Sequence, residues 1–330
     1  MKDNFIAQSF GKSQNYTDIP NQLYKEYNVK KGLRNEDGTG VRVGLTRVSD
    51  VVGYDLVDGV KTNVAGRLYY RGYDIVDIAA ARAKDAVGYE EVMFLLLFGF
   101  LPSKREFDNF NDILRDMYAL PNDFLEMNLL RMPAQNLMNK LQHAVLTLYN
   151  YDDDPDNVEV YSTLLKGLDI AAKLPSIMCY AYQSKMHYFN RESLVIHYPM
   201  KNYSIAENIL YMLRENRQFS AKEAALLDTI LVLQADHGGG NNSTFANVVV
   251  SSTGTDIYSS IAAAIGSLKG PKHGGANIQV SNMMEEIVAE IGYTSDEKKI
   301  RTVIEKILDK EFFDRTGLIY GFGHAVYTIS

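Results

Sequence analysis

A chain of 330 residues exceeds what one hydrophobic core usually serves, which predicts either one large helical domain with an appendage or two domains sharing a cleft. The 46% hydrophobic and 23% charged residues are ordinary for a soluble globular protein, and no run is apolar over the length needed to cross a bilayer, so no membrane role is expected. A formal net charge of −7 gives no footprint for nucleic acid; it leaves room only for a local basic pocket that takes phosphates. The start, Met1-Lys2-Asp3-Asn4-Phe5, lacks the parts of a secretory signal, and Cys179 is the lone cysteine, so a cytoplasmic protein without an intrachain disulfide is expected.

Residues 1–40 are polar and mixed and read as a helical lead-in. From Val41 the pattern changes. Val41-Arg42-Val43-Gly44-Leu45-Thr46-Arg47-Val48 alternates in side-chain character and Asp58-Gly59 sits between β-branched stretches, which predicts a small β-meander over roughly residues 41–71. Beyond it apolar residues recur at three- and four-residue spacing, and Ser103/Glu106, Ser204/Glu207, Ser220/Glu223 and Thr294/Glu297 have the spacing of capping boxes. A mainly α fold follows. Leu137, Leu141, Ala144, Val145 and Leu148 line one face of a helix that leads into Tyr151-Asp152-Asp153-Asp154-Pro155-Asp156, a solvated connection by composition. Leu226, Leu227, Ile230, Leu231, Val232 and Leu233 make the second half of the 221–236 segment apolar nearly all round, which predicts a buried helix. No repeat or low-complexity tract divides the chain, and Gly270-Pro271-Lys272 is the one candidate boundary, giving a large domain over 41–270 and the beginning of a smaller one over 271–330.

Three of the six histidines keep glycine company: His237 before Gly238-Gly239-Gly240, His273 before Gly274-Gly275, and His324 after Gly321-Phe322-Gly323. Glycine permits turns on which a ring faces a ligand without crowding. His237 falls where the apolar helix ends, with Gly238 available as a left-handed cap and Ser243-Thr244-Phe245-Ala246-Asn247 opening the next helix. His273 ends a loop after an Ile257 to Leu268 helix and precedes a helix from Ala276, near positive helix-end amides that favour a neutral ring. Neutral imidazoles donate hydrogen bonds to carbonyl oxygens, and two such rings would suit both partners of a carbon–carbon condensation. A hydrogen-bonded structural histidine is the plain alternative for each. Metal is disfavoured, because no two of the three share a helical face and no cysteine or acid stands at ligand spacing. His143, His187 and His197 read as exposed or structural, the last two in the polar stretch before the Ser204 cap, and neither a Gly-x-Gly-x-x-Gly after a strand nor a Gly-Lys-Ser pattern supports nucleotide hydrolysis.

Several blocks stand in a fixed order: Gly66-Arg67-Leu68-Tyr69-Tyr70-Arg71-Gly72-Tyr73-Asp74-Ile75; Tyr89-Glu90-Glu91-Val92 with Leu95-Leu96-Leu97-Phe98-Gly99 and Leu101-Pro102; Ala172-Lys173-Leu174-Pro175; and Ala206-Glu207-Asn208-Ile209-Leu210-Tyr211-Met212. The histidine motifs follow, ending in Gly321-Phe322-Gly323-His324-Ala325-Val326-Tyr327-Thr328. From about residue 40 to the end this resembles the citrate synthase family. The resemblance implies an almost wholly α-helical two-domain fold, with the small β-meander at the start of the large domain. It implies condensation of acetyl-CoA with oxaloacetate followed by hydrolysis of citryl-CoA, no cofactor beyond coenzyme A entering as part of the substrate, and a homodimer paired through large-domain helices around residues 221–267. By position it makes His273 the hydrogen-bond donor to the thioester carbonyl, His324 the group that polarises the ketone, and His237 a ligand of oxaloacetate with Asn241 nearby. The resemblance gives the family's aspartate base and several of its carboxylate-clamping arginines no counterpart among these residues, so the 330 residues alone are expected to be inactive or nearly so and to expose apolar surface. 2-Methylcitrate synthase, using propionyl-CoA, and a non-catalytic dimeric scaffold are the alternatives; one methylene changes selectivity by only about 1–3 kcal/mol, and no motif reveals it.

Overall fold

The structure, a computed structural model, describes residues 2–17, 19–27, 46–57, 60–82, 87–238, 241–270 and 273–322. It is mainly α-helical. Two helices, α1 (Lys2–Thr17) and α2 (Asn21–Glu26), precede a three-stranded sheet of order β1 (Ser49–Val57), β2 (Val60–Tyr70), β3 (Tyr73–Asp74). β2 and β3 are antiparallel, with Tyr69 opposite Asp74 and Tyr70 opposite Tyr73. Thr46-Arg47-Val48 is not strand, so the sheet begins later than the alternation suggests; the Asp58-Gly59 turn and residues 41–45 lie outside the described residues. The helices α3 (Ile75–Arg82), α4 (Gly88–Phe98), α5 (Lys104–Asp116), α6 (Leu137–Leu148), α7 (Val160–Asn190), α8 (Ile205–Leu213), α9 (Ala221–Leu233), α10 (Asn242–Ser251), α11 (Ile257–Leu268), α12 (Ala276–Ile291) and α13 (Glu297–Leu308) follow, with a π turn over Leu125–Leu130 and a 3₁₀ turn over Tyr149–Tyr151. Among the described residues no helix is long and apolar enough to cross a membrane.

The chain forms two compact units, Met1–Val52 with Arg67–Gly266, and Gly53–Gly66 with Ser267–Ser330. In the first, Phe94 and Phe98 of α4 meet Phe110 of α5 edge-on at centroid distances of 5.3 and 6.0 Å, the arrangement that aromatic quadrupoles favour. Ile6 of α1 joins that core, and Ala144, Val145 and Leu148 bring in the apolar stripe of α6. Gly99 ends α4 in a left-handed conformation, and a side chain there would begin 2.4 Å from Tyr16 Cβ, so glycine serves both the cap and the close approach of α1. In the second unit α12 packs on α13.

Three of the four capping boxes form as read, at Ser103, Ser204 and Ser220, each hydroxyl accepting from the amide three residues on. The fourth does not. Asp296 caps α13 by accepting from Lys298 N at 3.0 Å and Lys299 N at 3.4 Å, because a carboxylate one residue before the helix outcompetes a hydroxyl three before it. The acidic stretch after α6 is more than a solvated connection: Asp152 accepts from Tyr258 Oη at 2.7 Å and lies 3.6 Å from Lys166, tying α7 to α11. The expected burial of the 221–236 segment also fails. Leu226, Ile230 and Leu233 are 61%, 41% and 44% exposed, so α9 buries one side and presents an apolar face on the other. His187 belongs to the last turn of α7 rather than to the polar stretch after it, and His143 is likewise exposed on α6. His197 is buried in a loop, its Nδ1 accepting from Arg217 Nε at 3.2 Å.

Candidate functional site

The frame that leads to His237 is built from buried polar bonds. Asp228, on α9, is buried and its two carboxylate oxygens accept from Gly88 N and Tyr89 N, each at 3.0 Å, giving α4 the N-terminal charge its dipole favours. Glu90, two residues on, accepts from Ile205 N at 2.7 Å at the start of α8, while its other oxygen is buried without a partner among the described residues. Burial, with Asp228 as a like-charged neighbour, outweighs those amide bonds and Arg115 and pushes its carboxyl up to about 7. The neutral form is the one this site favours.

α9 stops at Leu233, with Gln234 as its last half-helical residue, so the helix ends three residues before His237 rather than at it. Gly238 is left-handed, at φ 83°, but in the turn after the helix and not as its cap. Tyr70, fully buried at the end of β2, reaches Val232 O at 3.0 Å and both backbone polar atoms of Asp236 at 3.2 Å. Ser49 donates to the Asp236 carboxylate. Burial holds the Arg71 guanidinium below its ordinary value, opposed by the charge of Asp236, and its Nε donates to Leu96 O at 3.0 Å. Ser49 and Arg71 also line a cavity of about 470 Å³ with Tyr16, Tyr69, Gly72 and Gly99. None of these partners of the turn was legible as such in sequence; Tyr70 and Arg71 stand in a motif, but only the fold brings them to residue 236.

His237 is half-buried and Asn241 follows it closely, with Asn241 N donating to Gly238 O at 3.3 Å. The Asn241 side-chain oxygen accepts from Ser243 N at 2.7 Å and Thr244 N at 3.2 Å and so caps α10. Its remaining polar group is an NH₂ donor, the right sense for a carboxylate. In the second unit the expected loop lies between α11 and α12, whose ends fall where the sequence put them. His273 N donates to Gly270 O at 2.9 Å and Gly274 N to Leu268 O at 3.0 Å, and a side chain on Gly274 would begin 2.7 Å from that same oxygen. Any larger residue there would have to displace that carbonyl. α12 starts without a side-chain cap and without an acid in its first turn, so its positive end near His273 is not neutralised from within the helix. Pro271 and Lys272 lie outside the described residues, and so does His324. Among the described residues no group of three His, Cys, Asp or Glu side chains is placed to hold a metal ion.

The family model described as "Citrate synthase, C-terminal domain" matches residues 36–330. The chain is 36% identical over 305 residues to a citrate synthase of Haloferax volcanii, covering 91% of this chain and 70% of that one. It is 31% identical over 264 residues to a 2-methylcitrate synthase of Shewanella oneidensis, covering 79% of this chain and 62% of that one. Among solved structures, a citrate synthase from Pyrobaculum aerophilum superposes with a TM-score of 0.66 at 29% identity, over 86% of this chain and 64% of that one. The chain thus spans roughly two thirds of the length of the relatives it matches.

Proposed function

The chain belongs to the citrate synthase family, and from that premise we propose that it carries the histidine part of a site that condenses acetyl-CoA with oxaloacetate and hydrolyses the resulting citryl-CoA. His273 is the donor to the thioester carbonyl as its α-proton leaves, His324 polarises the ketone, and His237 with the Asn241 amide binds oxaloacetate. The observation that carries the reading is the His273 loop: a ring set three residues before a helix start with no capping side chain, beside a glycine whose side chain would begin 2.7 Å from Leu268 O. Such a position favours a neutral imidazole, which donates to a developing enolate without first giving up a charge.

The exposed apolar face of α9 supports pairing of two copies through the 221–267 helices. We further propose that residues 1–330 by themselves release thiol barely above buffer, because the resemblance assigns the aspartate base and several clamping arginines to no residue among them. A second reading, 2-methylcitrate synthesis from propionyl-CoA, is favoured by the 31% identical relative of that name.

The experiment is thiol release with oxaloacetate, acetyl-CoA and propionyl-CoA being run side by side on the full-length protein and on residues 1–330. Faster release with acetyl-CoA supports the first reading and faster release with propionyl-CoA the second. No release from the full-length protein with either thioester would sink both in favour of a scaffold.

A further inference from the structure

The backbone leading into His237 is fastened by groups from a distant part of the chain. Tyr70 is fully buried, and its phenol oxygen lies 3.0 Å from Val232 O and 3.2 Å from Asp236 O and Asp236 N. A hydroxyl has one proton, so it donates to one of the two carbonyls and accepts from the Asp236 amide. On the same segment Ser49 Oγ donates to Asp236 Oδ2, and Ser49 O lies 3.4 Å from where a side chain on Gly238 would begin. The footing of these groups is itself bonded, since Arg71 N donates to Val48 O at 2.8 Å.

These bonds are more than the end of α9 requires. The helix is already closed by Gln234 N, which donates to Ile230 O at 3.2 Å, and the Tyr70 and Ser49 bonds to Asp236 fall after it, on backbone with no repeating pattern of its own. Residue 236 is held from both sides of its peptide, and Gly238 is buried with its carbonyl accepting from Asn241 N at 3.3 Å, which leaves residue 237 little freedom in the direction its side chain takes. A binding ring needs that: a displacement of about 1 Å can cost about 100-fold in the chemistry it serves.

We infer that Tyr70, assisted by Ser49, is a positioning residue for His237; its functional side rests on the reading that His237 binds oxaloacetate. Neither residue touches substrate in this account. They set the angle at which the imidazole leaves the turn, by satisfying the Asp236 amide and carboxylate from β2 and β1.

Tyr70→Phe tests it, because it keeps the ring that packs with Ile75, Ile78, Val92, Leu95 and Val232 and deletes only the oxygen. With ¹³C-labelled histidine, the His237 ring resonance is expected to move in this variant while those of the exposed His143 and His187 stay in place. The dissociation constant for oxaloacetate, measured by titration calorimetry on the same samples, is expected to rise about tenfold. Ser49→Ala is expected to repeat the pattern more weakly, and it carries the test should Tyr70→Phe not fold. A resonance and a dissociation constant that both stay at their original values overturn the inference, even if the melting temperature falls, for Tyr70 is then a packing residue. A moved resonance with unchanged affinity, where His237→Ala does weaken binding, overturns it as well. His237→Ala separates the two ideas: unchanged affinity in that variant removes the oxaloacetate assignment, whereas the moved resonance in Tyr70→Phe still supports the clamp.

Discussion

The turn that carries His237 and the loop that carries His273 are both rich in glycine, yet different forces shape them. Around His237 the bonds come from 166 and 187 residues away, through the Tyr70 hydroxyl and the Ser49 hydroxyl. Around His273 the bonds that shape the loop run between backbone atoms three to six residues apart: His273 N to Gly270 O, Gly274 N to Leu268 O, and Gly275 N to Gly270 O. The first arrangement exists only once the sheet and α9 have met. The second can form as soon as α11 and α12 do. Damage to packing in the first unit should therefore reach His237, whereas the His273 loop should fail mainly through its own glycines.

The largest effect expected is from Asp228→Ala. It leaves the Gly88 and Tyr89 amides without their buried carboxylate and loosens α9 from α4, at a cost of about 3–4 kcal/mol in urea unfolding. A loss below about 1 kcal/mol would mean that water or a neighbouring group replaces the carboxylate, and that the first region depends little on this long-range bond.

Next comes the pH response of the same frame. Glu90 is held up at about 7 from an ordinary 4.5, chiefly by burial, so the folded state keeps a proton that the unfolded state has given up. Stability from this group is therefore full below about pH 4.5, falls as pH rises through the window up to about 7, and levels off above it, a total of about 3 kcal/mol. Glu90→Gln should flatten that part of the stability–pH curve. A wild-type curve already flat between pH 5 and 7 would show that the carboxyl ionises freely.

A smaller effect, about 2 kcal/mol, is expected from Gly274→Ala, whose new methyl group would meet Leu268 O and Leu268 Cδ1, both 2.7 Å away. It sharpens the comparison if the amides of residues 268–279 lose exchange protection while those of 232–238 keep theirs. Equal loosening of both segments would erase the distinction between them.

The smallest change in stability belongs to Asn241. Asn241→Ala removes the α10 cap and should cost about 1 kcal/mol, whereas Asn241→Asp keeps an acceptor for Ser243 N and Thr244 N and should cost less than half of that. The aspartate nevertheless replaces the NH₂ donor with a negative charge. Oxaloacetate binding weakened equally by both substitutions would identify the side-chain amide as its ligand; binding unaffected by Asn241→Asp would leave the residue as a cap alone.

Much of this protein was written in local pattern. The Ser-x-x-Glu spacing at 103, 204 and 220 gave three helix starts, the stripe from Leu137 to Leu148 gave the inner face of α6, and α11 and α12 lie where the spacing around His273 put them. Thr294 is not the cap of α13, because Asp296 is a stronger acceptor nearer the helix. The apolar second half of α9 departs from the expected burial for a different reason. Apolarity states what a face prefers and not what covers it, and in this chain Leu226, Ile230 and Leu233 remain exposed. Of the candidate site residues, His237 and His273 were marked by glycine neighbours and by family motifs, Asn241 by the resemblance alone, and His324 lies outside the described residues.

The sequence by itself determined the helical periodicity, the caps and the glycine turns, because those depend on residues three or four apart and on the backbone angles each residue permits. It determined the family as well, through motifs that stand in order along the chain. Only the tertiary structure decided that Tyr70 and Ser49 hold residue 236, that Asp228 caps a helix 140 residues earlier, and that Glu90 is buried beside it. Those contacts join segments far apart in the chain, and burial, which sets their strength and the charge state of Glu90, exists only after the segments have packed.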